Sequence, residues 1–193
     1  MTAPVLATPR LILRQIGEDD LDAHMTLLNT PAVMRYLGGV QPREVIAAKH
    51  EASRASFAAH GFGFMLMTER ESGAIVGHCG LRHVAHPLAP NAGRDHEIGW
   101  LVREDRWRRG YAHEAMRAVI AWGFATHRAP LIVALTIENN LGSWRLMEKL
   151  GMSRAPALDF NDPAMSPAYN PTIQYGLTRA QWARGGNGDR AFD

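Results

Sequence analysis

Residues 97–116 read EIGWLV, REDRWRR, GYAHEAM in immediate succession, and the reading of this stretch decides the fold. The first six are a short apolar run closing on Val102, which reads as a strand. The next seven crowd Arg103, Arg106, Arg108 and Arg109 together, diluted only by Glu104 and Asp105. Gly110 follows, and from Ala112 the apolar set Ala115, Met116, Val119, Ile120 and Phe124 keeps the helical period, so one face packs on a sheet. A helix start leaves backbone N–H groups unpaired, and its dipole favours anions there. Arginine stays charged and offers phosphate a planar fork of donors, and Gly110 lets a ligand come close to the backbone. The physics of the stretch points to a pyrophosphate site, with a merely solvated turn as the alternative. It is neither a Walker loop nor a G-x-G-x-x-G turn.

Working outward, RLILRQI at 10–16 alternates and reads as an opening strand. Residues 18–30 place Leu21, Met25 and Leu28 at helical spacing until Pro31 stops them. A second helix runs over 42–61, with Pro at its start and Gly just past its end. Residues 62–68 and 74–81 are apolar strands around RESG and predict a hairpin. A loop follows at 83–93. Beyond the arginine-rich turn and its helix, 131–137 is a strand, and Asn140 opens a short helix ended by Gly151. Residues 153–171 are irregular, with one more strand near Leu158 as an option. Residues 172–177 give a last strand, and 185–193 read as a frayed tail. The order implies an α/β (α+β) layer fold around one sheet, a single domain over 1–184.

Composition bounds the function. With 193 residues, 46% hydrophobic and 21% charged, the chain has the mix of a core-burying globular domain. Cys79 is the only cysteine, so no intramolecular disulfide forms and a reducing, cytoplasmic setting is expected. No apolar run reaches the ~18 residues of a membrane span, and the start lacks the zones of a signal peptide. A net charge of +2 is too small to argue for nucleic acid.

WRRGYAHEAM resembles the coenzyme A pyrophosphate loop of the GCN5-related N-acetyltransferases, whose pattern is Q/R-x-x-G-x-G/A. Gly110 and Ala112 fill its last two fixed positions. Trp107 stands where the broad family has Gln or Arg, as is familiar in the branch resembling RimJ/RimL ribosomal-protein N-acetyltransferases, and Arg108 stands where that branch often has Gly. TPRLILR from Thr8, NTPAVMRYL from Asn29, IVGHCGL from Ile75 and HEIGWLV from His96 are similar to that branch's landmarks in their usual order. So is NLGSWRLMEKLGM from Asn140, and YGLTRAQW fits the usual last strand.

The resemblance implies a mixed, mostly antiparallel sheet flanked by helices and splayed beside acetyl-CoA, which serves as co-substrate without any metal. Leu101 and Val102 would line pantetheine, with a peptide N–H near Leu101 as oxyanion donor. Arg108, Arg109, Gly110, Tyr111, Ala112 and His113 would surround the pyrophosphate. Asn140 and Ser143 would lie near the thiol, Ser143 with a catalytic part; both are equally helix-capping types. Glu97 matches the family's acidic strand position and is the first candidate base, against a Glu that only supports the strand or pairs with an Arg. Met147 stands where many members have an acidic Tyr, so no acid is expected from there. His83, His86 and His96 could relay protons but are more often solvated.

The acceptor is an amine: a protein N-terminus, or a small molecule such as an aminoglycoside or polyamine. The first two helices and the loops at 83–93 and 153–171 would shape its pocket. A homodimer is compatible with the resemblance; nucleic acid and membrane are not expected as partners. Two rivals stay open, a non-catalytic acyl-CoA sensor, which Met147 favours, and a nucleic-acid binder using the arginine cluster. Other constellations fail on spacing. His113-Glu114 is no zinc-protease motif, because Arg117 replaces the second His, and Ser143 lacks a nucleophile elbow.

Overall fold

The computed structural model describes residues 4–185. Eight strands and six helices follow in the order β1 Pro4–Ala7, β2 Leu11–Gln15, α1 Leu21–Leu27, α2 Pro31–Met34, α3 Arg43–His60, β3 Phe64–Glu69, β4 Ile75–His83, β5 His96–Val102, α4 Tyr111–Ala125, β6 Leu131–Ile137, α5 Leu141–Lys149, β7 Ser153–Arg154, β8 Thr172–Thr178 and α6 Arg179–Arg184. The fold is mixed α/β with mostly antiparallel strands and flanking helices. The chain divides into two compact units, one holding residues up to Gly80 with Trp100–Ala118, the other Leu81–Gly99 with the chain from Val119 on. No described helix is long and apolar enough to cross a membrane.

In the first unit β1, β2, β3 and β4 pair antiparallel in sequence order, with Leu13 opposite Met67 and Met65 opposite Cys79. Strand alternation buries Leu11, Leu13, Met65 and Met67 completely. Leu66, on the other face, meets Ile16 and Leu28, and so draws the chain around α1 onto the sheet. Helix α3 ends as its sequence dictates. Gly61 takes φ +75°, which an L-residue resists, and its N–H caps Phe57. Cys79 is fully buried, and burial pushes its thiol up, so it is inert.

In the second unit β6 is central. It pairs antiparallel with β8 along its whole length and parallel with β5 through His96↔Ile132 and Glu97↔Val133, while β7 pairs with β8. Ile132, Val133 and Ala134 are therefore fully buried and apolar on both faces. Among the described residues the β5 register to β6 stops at Glu97, although Ile98 and Gly99 continue the strand.

Several boundaries correct the sequence reading. The helix expected at 18–30 is a 3-10 turn at Glu18–Asp20 followed by α1, and Pro31 opens α2 beneath a Thr30 cap rather than only ending a helix. Proline at a first helical position sacrifices no hydrogen bond. Leu158 lies in a 3-10 turn, Pro156–Leu158; the extra strand is β7, and Phe160 makes only an isolated bridge to Thr172. Helix α6 was not expected, though Thr178 and Gln181 spell a capping box. The tail assigned from Gly185 on lies, past that residue, outside the described residues.

Candidate cofactor and catalytic site

The first unit holds the arginine-rich turn, and its four arginines separate into two kinds. Arg103 is structural: its guanidinium grips Asp105 and donates to the Ile75 carbonyl, and its N–H donates to the Val76 carbonyl. Arg106 leans on Glu69 at 3.5 Å. Arg108 and Arg109 are exposed, and among the described residues neither side chain makes a hydrogen bond or ion pair. Arg103 and Arg106 are thus taken up by the protein, whereas Arg108 and Arg109 stand in solvent with their donors open to a ligand.

The backbone takes a left-handed conformation at two positions, on either side of Arg109. Arg108 has φ +60° and Gly110 φ +83°. Glycine takes that region freely, whereas an L-residue there costs on the order of 1 kcal/mol. The structure thus explains why a Gly is natural at position 108, where this chain has Arg. Helix α4 follows at once, its first ladder bond running from the Glu114 N–H to the Gly110 carbonyl at 3.0 Å. Tyr111, Ala112 and His113, all half-buried, form the opening turn whose N–H groups precede that ladder.

What holds this loop was not foreseen. Glu114 accepts from the Thr8 hydroxyl at 2.6 Å, the Arg10 N–H at 2.8 Å and Arg10 Nε at 2.6 Å. Arg10 Nη1 donates to the Arg109 carbonyl at 3.0 Å, and the guanidinium lies 4.6 Å over the Tyr111 ring. Burial alone would raise the Glu114 carboxyl, but the hydrogen bonds from Thr8 and Arg10 outweigh it and hold it below its usual value. The Tyr111 hydroxyl donates to Glu69, whose carboxyl that bond and the nearby Ser72, Arg106 and Arg109 hold low. The signal for Thr8 and Arg10 was present in TPRLILR, and for Glu114 in YAHEAM, but nothing local pairs residues a hundred positions apart.

The end of β5 is shaped by close approach. The Leu101 carbonyl lies against Gly77, where a Cβ would come within 2.1 Å of it. The Val102 carbonyl accepts from the Trp107 indole at 2.6 Å, so Trp107, 41% exposed, is folded back on the strand end.

The second unit holds the remaining predicted residues. Glu97 is buried, and both its oxygens accept from Arg82, at 3.0 Å from Nε and 2.7 Å from Nη2. Each oxygen keeps a second lone pair. His96 is buried 4.8 Å from the His83 ring, and burial, then the charges of His83 and His127, push it below its usual value. His86 instead joins the two irregular loops: it meets Asp162 at 3.2 Å, takes the Leu88 N–H on Nδ1, and lies 4.6 Å from the Phe160 ring. Asn140 caps α5 through the Ser143 N–H at 3.4 Å, so its capping part is real, and Ser143 is half-buried beside it. Met147 is 1% exposed and packs in the core, where it can donate no proton.

Known proteins bear on this arrangement. The acetyltransferase (GNAT) domain model matches residues 10–153. The chain is 29% identical over 164 residues to an uncharacterised N-acetyltransferase, YoaA, of Bacillus subtilis, covering 80% of this chain and 86% of that one. It is 26% identical to the FsC-acetyl coenzyme A-N(2)-transacetylase of Aspergillus fumigatus, over 94% of this chain and 79% of the relative. An acetyltransferase structure from Agrobacterium tumefaciens matches with a TM-score of 0.75 at 27% identity, over 93% of this chain and 96% of that one. The span of the domain model runs from Arg10 through the arginine-rich turn and α5 to the first residue of β7, and on that ground the chain belongs to the GNAT family and is an acetyl-CoA-dependent N-acetyltransferase.

Proposed function

We propose that the enzyme transfers acetyl from acetyl-CoA to a primary amine by direct attack in a ternary complex, with the α-amine of a peptide as the preferred acceptor. The observation carrying the coenzyme half is the left-handed turn at Arg108 and Gly110, which opens α4 beside two arginines with all their donors spare. Loop N–H groups and these guanidinia suit a pyrophosphate, and the name of the Aspergillus relative includes acetyl coenzyme A.

The amine lone pair attacks the thioester carbon, forming the C–N bond while charge gathers on the carbonyl oxygen. A peptide N–H of β5 near Leu101 is the proposed donor to that oxygen. The C–S bond then breaks, and the thiolate takes up the proton the nitrogen has lost. A thiol of pKa ~8.5 is a tolerable leaving group, so no acid is required where Met147 stands. Asn140 and Ser143 are assigned to the surroundings of the thiol. Glu97 is assigned as the base, through the lone pairs that Arg82 leaves open.

The same engagement of Glu97 favours acceptors that shed their own proton. An α-amine with a pKa near 8 is about one quarter neutral at pH 7.5, against roughly one part in a thousand for an alkylamine near 10.4. A likeness to the RimJ/RimL branch and a cytoplasmic, metal-free enzyme of one domain over 1–184 belong to this reading. The test is calorimetric titration with acetyl-CoA, then free-thiol release with Ser-, Ala- and Thr-starting peptides, polyamines and aminoglycosides. Peptide-dependent release is the expected result. Release with small amines alone would replace the acceptor, and binding without release would favour a sensor.

A further inference from the structure

We propose that Arg10 is itself a ligand of the coenzyme pyrophosphate, and not only a brace for the loop that binds it. The proposal rests on the coenzyme reading above. Three parts of the Arg10 guanidinium are already engaged: Nε with Glu114, Nη1 with the Arg109 carbonyl, and one face with Tyr111. The remaining nitrogen, Nη2, has no acceptor among the described residues, although the side chain is 48% exposed and held from three directions. Its place is defined by Gly110: a Cβ on that glycine would lie 3.4 Å from Nη2 and from nothing else nearby. Nη2 therefore stands beside the residue whose missing side chain lets an anion reach the start of α4.

The chemistry agrees with the placement. Glu114 cancels part of the Arg10 charge from one side only, and a guanidinium pinned at Nε and Nη1 presents its outer edge with almost no rotamer freedom left to lose. Arg108 and Arg109 are long, unpinned side chains that must be ordered on binding. Arg10 is the pre-ordered cation of the three. A diester phosphate accepts from an in-plane donor, which is what Nη2 offers, and the pyrophosphate lies nearer the helix start than the nucleoside phosphate does if the loop N–H groups hold it.

The experiment is a truncation series. Wild type, R10Q and R10K are titrated with acetyl-CoA, its 3′-dephospho form, S-acetyl-4′-phosphopantetheine and S-acetylpantetheine. R10Q is expected to weaken acetyl-CoA and the dephospho form alike by tenfold or more, to weaken the monophosphate less, and to leave acetylpantetheine within twofold. R10K recovers part of the loss, because an ammonium can reach a phosphate but cannot also hold Arg109 and Glu114. A uniform loss across all four ligands, or a pyrophosphate-selective loss that R10K does not relieve, would make Arg10 purely structural and overturn the proposal. So would a loss confined to the 3′-phosphorylated ligand, or none. If wild type binds acetyl-CoA and this pattern appears without turnover for any amine, the acetyl-transfer reading fails while the Arg10 assignment stands. Wild type that binds none of the phosphorylated ligands overturns both.

Discussion

Replacing Glu114 by Ala removes one carboxylate and three hydrogen bonds at once, and the structure fixes what should follow. The bonds from the Thr8 hydroxyl and the Arg10 N–H end on one oxygen, and that from Arg10 Nε on the other. Bonds to a charged partner contribute ~1.5–3 kcal/mol each, but the Arg10 side chain is half exposed and regains water, which cuts its share to under ~1 kcal/mol. Thr8 can fall back on the Leu11 carbonyl, to which its hydroxyl already lies at 3.4 Å. A total near 3 kcal/mol is reasonable, which in a chain of this size lowers Tm by about 6–12 °C. The sign with pH is also set. The Glu114 carboxyl is held below its ordinary value of 4.5, so its contribution is complete above that value and disappears as pH falls through the folded one. Thermal melts of wild type and E114A should therefore differ by a constant gap from pH 8 to 5 and converge below. Acetyl-CoA titration should weaken in parallel, because the Arg109 carbonyl loses its anchored partner. A gap under 2 °C, or one that stays flat down to pH 3.5, would refute the reasoning.

Arg108→Gly should raise Tm by a degree or two while weakening acetyl-CoA: it relieves a left-handed L-residue, less the added freedom of the unfolded chain, for a net ~0.5 kcal/mol. Binding that survives unchanged would remove Arg108 from the coenzyme contacts. Gly110→Val should cost far more, since a β-branched residue is forced to φ +83° against Arg10; a calorimetric Kd equal to wild type would end the loop assignment. His24 and His50 are both buried and share one hydrogen bond at 2.8 Å, with the His78 ring against His24. Burial first, then the charges of His50 and Lys49, push His24 down to about 4; burial and Arg54 push His50 down while Asp20 opposes. The unfolded chain then takes up protons first, so stability is full above pH ~6.5 and falls as pH drops toward 4. Chemical denaturation from pH 7 to 5 should give H24Q a flatter slope than wild type, by up to ~1.4 kcal/mol per pH step of one. Equal slopes would count against the pair.

Much of the fold could be read locally because its signals are local. The span of β6 at 131–137 and the caps Pro42, Gly61 and Asn140 are written within a few residues of the structures they set. The misreadings share a cause. Pro31 is read as a stop because proline ends helices, yet it starts one when Thr30 supplies the cap. β1 is four residues with little alternation, and only pairing with β2 makes it a strand. In the site, Gly110 and the helix start were legible from spacing. The division of the arginines was not, because it depends on Glu69 and on the Ile75 carbonyl, which lie more than thirty positions and twenty-eight positions away respectively. Glu97 is the clearest limit: its identity could be read, but its grip by Arg82 needs two strands folded side by side.

The bond between Arg10 and Glu114 spans 104 positions of sequence, and that separation has a consequence for how the protein is made and handled. A ribosome exposes Thr8 and Arg10 well before Glu114, so the proposed coenzyme loop cannot set until the chain has passed the start of α4. Closing so long a loop is entropically expensive, though the cost grows only with its logarithm. It follows that Thr8 and Arg10 cannot be altered without cost to the loop. A fusion or trimming that disturbs Thr8 or Arg10 should lower the melting temperature as E114A does, and weaken acetyl-CoA with it.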